Sequence, residues 1–331
     1  MRLKYPHIAI GALAALAPVL QFEDLVPAET YYDIVSNDFK CETMSCFNTI
    51  KDSWDAITYE GQKNDGLQLL SKMFRLCRWF IDSDSIKDEF REPEKAEDLS
   101  DWLESAYNFL AMTDYPYPTD FVMPLPGNPI NEVCIKIDSC SDRTSILERI
   151  FEGISVYYNY TGAVDCFDLD DDPHGTDGWI WQGNIMLVAS LSALIDVSER
   201  VNVFGPCLVR TGYQEPLLDA YITAHDDFKS ALKLFGSKII FSNGLLDPCS
   251  GGSVLEDVSE TIVALTENGA HHLDLRAATA EDPDWLLQQR ATEIKLIEGW
   301  LNNYYQAKKG NFWRIKVMIF GYFLVYMPLS L

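Results

Sequence analysis

The chain has 331 residues, 47% of them hydrophobic, enough for one large or two ordinary globular domains with a buried core. Its 26 Lys and Arg against 50 Asp and Glu leave a formal charge of −24. That charge argues against nucleic acid as a partner, because phosphates would be repelled, and it suits work in an acidic compartment.

The first 24 residues look superficially like a secretory leader. Arg2 and Lys4 precede an apolar run, Ile8–Leu20, with Ala15-Leu16-Ala17 as a cleavage-like triplet. Pro18 disfavours cleavage there, so the preferred reading is a basic amphipathic turn, a buried strand over Ile8–Ala14 and a loop at Pro18. From residue 25 to about 160 the pattern is helical. Phe47, Ile50, Trp54 and Ile57 recur at the three- and four-residue spacing of one helix face. Leu67, Leu70, Phe74 and Cys77 repeat it, as do Trp102, Leu103, Ala106, Phe109 and Leu110. The charged stretch Lys87–Ser100 reads as a solvated loop. The proline-punctuated runs at 115–118 and 124–129 read as extended loops, and Ile146–Tyr158 as another helix.

Residues 161–182 form an acidic loop carrying Asp168, Asp170, Asp171 and Asp172, then Trp179 and Trp181. The spacing of a calcium loop and its closing glutamate are absent, so no metal is expected there. The eight cysteines include no C-x-x-C and do not cluster with the five histidines, which argues against zinc. They fit either buried thiols or a few disulfides. Asn159-Tyr160-Thr161 is a glycosylation sequon if the chain enters the secretory route.

From Lys238 the texture changes. Lys238–Gly244 is a short buried strand, Thr261–Leu265 a second, and each ends in a polar loop before a long helix, Trp285–Tyr305. This is how an α/β sheet finishes. Reactive groups in open α/β sheets lie on loops after the carboxyl ends of strands. Asp247 follows the first strand and His271 the second. Adjacent parallel strands would bring the two together, and a carboxylate on the imidazole Nδ1 leaves Nε2 to accept a proton from a nucleophile. The order Asp then His is that of α/β-hydrolases.

The wording of these loops is more specific than their spacing. Phe241-Ser242-Asn243-Gly244-Leu245-Leu246-Asp247-Pro248, Ser250-Gly251-Gly252 and Gly269-Ala270-His271-His272-Leu273-Asp274-Leu275-Arg276 closely resemble the lysosomal Pro-Xaa carboxypeptidase and dipeptidyl peptidase II family of serine peptidases. The likeness continues through Lys4-Tyr5-Pro6-His7, Gln21-Phe22-Glu23-Asp24, Ser53-Trp54-Asp55-Ala56-Ile57, Asp114-Tyr115-Pro116-Tyr117, Pro124-Leu125-Pro126 and Tyr157-Tyr158-Asn159-Tyr160. It covers most of residues 2–182 and 229–306. The resemblance implies an α/β fold, a partial α/β-hydrolase sheet interrupted by a mostly helical cap. On that plan residues 1–24 are a remnant of the hydrolase domain and 25–228 the cap, with 183–224 divergent. Residues 229–308 then close the hydrolase domain and 309–331 form an apolar tail.

The resemblance further implies a serine-type exopeptidase acting beside proline in small peptides, in a lysosome or vacuole or outside the cell, without metal or other cofactor. Asp247 takes the place of the acid, His271 of the base, and His272 a structural place. Two disulfides are implied, Cys46–Cys134 and Cys77–Cys166. Cys249 stands where the family has a tryptophan walling the proline pocket, and Trp179 and Trp181 are further candidates to line it. Loss of that wall is expected to weaken proline binding by about 1–3 kcal/mol.

Three departures qualify the expectation. No serine lies in a Gly-x-Ser-x-Gly, so the nucleophile elbow is expected to be missing from this chain. Gly183–Ala224 does not follow the family. Val317–Leu331 is uncharged and flanked by Lys308, Lys309, Arg314 and Lys316, a short C-terminal membrane anchor by composition. An inactive fragment or a membrane-tethered binding remnant are therefore alternative readings, and carboxypeptidase against dipeptidyl peptidase specificity stays open.

Overall fold

In the computed structural model of the chain, residues 6–21, 25–27, 29–77, 95–169, 228–308, 314–320 and 323–329 are described. In chain order they form β1 (Ala12–Ala15), α1 (Thr30–Glu42), α2 (Met44–Gly61), α3 (Gly66–Met73), α4 (Ala96–Met112), β2 (Thr119–Asp120), β3 (Pro124–Leu125), α5 (Pro129–Asp138), α6 (Ile146–Tyr158), α7 (Phe228–Phe235), β4 (Ile239–Gly244), β5 (Ile262–Glu267), α8 (Asp284–Ala307), β6 (Arg314–Phe320) and β7 (Phe323–Leu329). The architecture is mixed α/β. The chain divides into two compact units, one of Met1–Tyr31 with Trp181–Leu331 and one of Tyr32–Ile180.

The first unit is built on a five-stranded sheet of order β5-β4-β1-β7-β6. β1, β4 and β5 run parallel, with Ala12 opposite Ile239 and Ile239 opposite Ile262. All six residues of β4 are buried, the signature of a strand covered on both faces. Because side chains alternate along a strand, Ile239 and Phe241 pack with Leu232 of α7, whereas Ile240 packs with Leu13 and with Ile297 of α8.

β1 starts later than the apolar run suggests, at Ala12 rather than Ile8. Pairing begins where the Ala12 N–H reaches the Lys238 carbonyl (2.9 Å), and residues 6–8 form a turn instead. Gly11, at the junction, lies flat against the Trp300 ring. A Cβ there would sit 2.4 Å from Trp300 Cε3.

The apolar tail differs most from expectation. Its described residues are not a spanning helix but the antiparallel pair β6 and β7, and β7 adds to the free side of β1 with Ala12 opposite Val325. A strand edge leaves backbone N–H and C=O groups without partners, and this pairing satisfies them. No helix among the described residues is long and apolar enough to cross a membrane.

The second unit is helical, with one two-stranded ribbon of β2 and β3. α2 carries the Phe47–Ile57 periodicity, and Thr43 caps it by accepting from the Cys46 N–H (3.0 Å). A helix begins inside the charged stretch. Ala96–Ser100 already belong to α4, because Asp98 accepts the Lys95 N–H (2.9 Å) and closes the first turn. Likewise Pro129 opens a helix rather than extending a loop. It sits in the first turn of α5, where a missing N–H costs nothing. Disulfides join Cys46 to Cys134 and Cys77 to Cys166. Aromatic packing fills the rest, with Trp102 stacked on Tyr158 at 3.9 Å.

Gly11→Ala should lower stability by about 1–3 kcal/mol, since the added methyl must displace Trp300 from the sheet. A urea titration should show a lower midpoint at unchanged slope, and an unchanged midpoint would show that the contact is loose.

Candidate active site

The site is assembled at the carboxyl ends of β4 and β5. The six-residue parallel register carries Gly244 opposite Glu267, so both strands release their loops at the same height. The loops are then joined by backbone hydrogen bonds, Leu245 N–H to Glu267 O (2.8 Å) and Leu246 N–H to Gly269 O (3.0 Å). Close approach requires a glycine here. A Cβ on Gly244 would lie 2.3 Å from the Gly269 carbonyl oxygen.

Asp247 follows at the N-cap of a short 3-10 turn, Pro248–Gly252. Its Oδ1 accepts the Cys249 N–H at 2.8 Å, and its Oδ2 faces His271 Nδ1 in a short hydrogen bond. Both side chains are buried, Asp247 completely and His271 to 2% exposure. A carboxylate fixed by one backbone donor leaves one oxygen for the imidazole. That oxygen selects the Nδ1–H tautomer, whose Nε2 is a base.

His272 adopts a left-handed backbone, φ 34°, which turns its ring against His271 with centroids 3.9 Å apart. Burial, helped by the neighbouring His271 and Arg276, lowers its pKa to about 3. It therefore stays neutral.

Behind the loop stands a polar cluster that the motifs do not announce. Arg290 of α8 donates to three loop carbonyls, Asp274 (2.8 Å), Leu273 (2.9 Å) and Arg276 (2.9 Å), and to the Asp282 carboxylate (2.5 Å). Gln289 donates to Ser242 Oγ of β4 (2.7 Å) and to Glu293 Oε1 (3.3 Å). Asp274 Oδ2 and Gln289 Oε1 are buried acceptors without a partner. The sequence carries one signal for this cluster. On α8 the buried stripe Leu286, Gln289, Glu293, Ile297 places two polar residues where an amphipathic helix needs apolar ones.

Burial, then the charge of Asp274, pushes Glu293 up to about 8, and burial likewise raises Asp274. A proton on Glu293 adds a donor to a cluster that holds two unpartnered acceptors.

Cys249 is buried and disulfide-bonded. Donor atoms of Asp247, Cys249 and His271 lie within 4.8 Å of one another, yet they do not make a metal site. A disulfide sulfur is no thiolate, and Asp247 already engages Nδ1. Trp179 and Trp181 lie outside the described residues, as do Cys207 and Asp170, Asp171 and Asp172. Asn159 ends α6, and its Nδ2 donates to the Val164 carbonyl (2.9 Å). Cys41 is exposed and Cys140 half-buried, both as free thiols.

A family model described as serine carboxypeptidase S28 matches residues 1–183 and 203–293. The unmatched interval, 184–202, is shorter than Gly183–Ala224. The chain is 36% identical over 319 residues to the lysosomal Pro-X carboxypeptidase of Homo sapiens, 92% of this chain being covered. It is 34% identical over 323 residues to the protein of that name from Bos taurus, again covering 92% of this chain. With prolyl carboxy peptidase like protein 5 of Caenorhabditis elegans it shares 29% over 342 residues, covering 95% of this chain. The chain spans 61%, 60% and 64% of the lengths of these three relatives.

Two predictions follow from the cluster behind the loop. Arg290→Met keeps the aliphatic stem but strips three carbonyls and Asp282 of their donor. It should cost on the order of 3 kcal/mol in urea unfolding, and a loss below about 0.5 kcal/mol would show that water replaces the guanidinium. For Glu293 the folded pKa, about 8, exceeds the ordinary 4.5. The folded chain thus holds its proton more tightly than the unfolded one, and the stabilisation is complete below about pH 4.5 and lost as pH rises towards 8. Thermal midpoints should fall between pH 5 and 8, and Glu293→Gln should flatten that slope, whereas an equal slope in both proteins would assign the effect elsewhere.

Proposed function

We propose, from the premise that the chain belongs to the serine carboxypeptidase S28 family, that it works as a proline-directed serine carboxypeptidase in which Asp247 and His271 are the acid and the base. The observation that carries this reading is the buried Asp247 carboxylate on His271 Nδ1, held at the ends of adjacent parallel strands. In this chemistry Nε2 takes the proton of a serine hydroxyl as Oγ bonds to the carbonyl carbon of the proline residue. Asp247 stabilises the imidazolium, which then protonates the departing amine as the proline–Xaa bond breaks. Water releases the acyl group by the reverse proton path. The family supplies that hydroxyl from a Gly-x-Ser-x-Gly elbow, and the 331 residues contain no such motif.

The finer architecture is part of the same proposal. The sheet unit corresponds to an α/β-hydrolase domain and the helical unit, Tyr32–Ile180, to its cap. Two disulfides and the names of the lysosomal relatives support a lysosomal or secreted setting, where thiols oxidise. Peptides with proline next to the carboxyl-terminal residue are the proposed substrates.

The test uses the protein expressed from its complete reading frame. Release of the residue after proline from a Xaa-Pro-Xaa peptide is expected at acidic pH, with kcat lowered about 10⁴-fold or more by His271→Ala. Release that persists unchanged in the His271→Ala protein, or no release by the parent, overturns the reading.

A further inference from the structure

The helical unit contains a cavity of about 400 Å³ between α1, α2 and α4, within the size range of small-molecule pockets. Its wall is aromatic. Phe39 and Trp54 both meet the Tyr107 ring edge-on, with centroids 5.3 Å and 6.0 Å apart, and Phe47 lies on the same wall. One carboxylate, Glu104, interrupts this apolar surface. Burial raises its pKa, and hydrogen bonds donated by Tyr32 and Asn108 oppose that shift and fix the carboxyl group in place.

Among the lining residues Glu104 is the acidic one, and Tyr32, Ser36, Trp54, Tyr107 and Asn108 carry the neutral hydrogen-bonding groups. Asp101, one turn before Glu104 on α4, adds negative charge to the same side. Lys51 is the cavity's basic residue, and it is exposed at the mouth and makes no ion pair with Glu104 among the described residues. Aromatic faces around a carboxylate are the physical requirement for holding an organic cation.

We infer that this cavity is a binding site for a small protonated amine with an apolar body, its ammonium on Glu104 and its hydrocarbon against Phe39, Trp54 and Tyr107. The ammonium N–H groups meet the Glu104 carboxylate, and the rings cover the apolar body. Its test requires no peptidase activity.

Calorimetric titration of the whole chain with phenethylammonium is the direct experiment, with phenethyl alcohol and phenylacetate as the neutral and anionic analogues. The ammonium should bind at least tenfold more tightly than the alcohol, and phenylacetate should not bind measurably. Glu104→Gln retains the shape and removes the charge, so a variant shown by its melting curve to be folded should lose the tenfold preference. Lys51→Ala should bind the ammonium as well as the parent or better. A tripeptide Phe-Gly-Gly beside its N-acetyl form distinguishes a peptide amino terminus from a free amine as the source of the charge. Equal affinity for ammonium and alcohol, unchanged binding by a folded Glu104→Gln protein, or no binding by any probe at millimolar concentration overturns the proposal.

Discussion

A buried imidazole stays beside a buried carboxylate only if two separate loops are fixed to within a fraction of an ångström. Here the fixing starts in the backbone. The parallel register of β4 and β5 brings both loops off the sheet at one level, and Gly244 lets the loop backbones touch. The Cys249 N–H then sets the carboxylate, and Arg290 holds the loop after His271 by three of its carbonyls. None of these four supports is itself reactive. The pairing of Asp247 with His271 rests on an arrangement made largely of main-chain atoms.

The chain's acidity becomes specific where carboxyl groups leave water. On the surface, charge of one sign spreads and is screened. Glu293 and Asp274 instead sit behind the sheet, and Glu104 sits half-buried in the helical unit. In each place burial favours the protonated form, and neighbouring hydroxyls or amides decide how much charge is tolerated. Among the described residues the sheet unit has apolar layers on both faces of β4, and the helical unit has stacked aromatic rings and the bridges Cys46–Cys134 and Cys77–Cys166.

How much of this was legible in the sequence depended on what kind of signal each element leaves. β4, β5 and α8 were readable because apolar runs and a long amphipathic period are local properties, and the positions of Asp247 and His271 followed from strand ends. The start of β1 was not, since Ile8–Ala14 is apolar throughout and only pairing with β4 decides where the strand begins. The tail misled for the same reason. An uncharged run of that length is compatible with a short membrane helix or with two strands, and the difference lies in β1's need for a partner 300 residues away. Pro129 reads as a loop residue in the sequence because proline interrupts helices more often than it opens them. Arg290 was invisible because its partners are carbonyls, which every residue has.

The two disulfides span 46–134 and 77–166, so neither ring encloses the other and each passes through the other's interval. Backbone connectivity in the helical unit is consequently redundant. A single cut anywhere from residue 47 to residue 165 leaves the two pieces joined by at least one bridge, and a cut between 78 and 133 leaves them joined by both. Such a nick would change the number of chain ends without releasing a fragment.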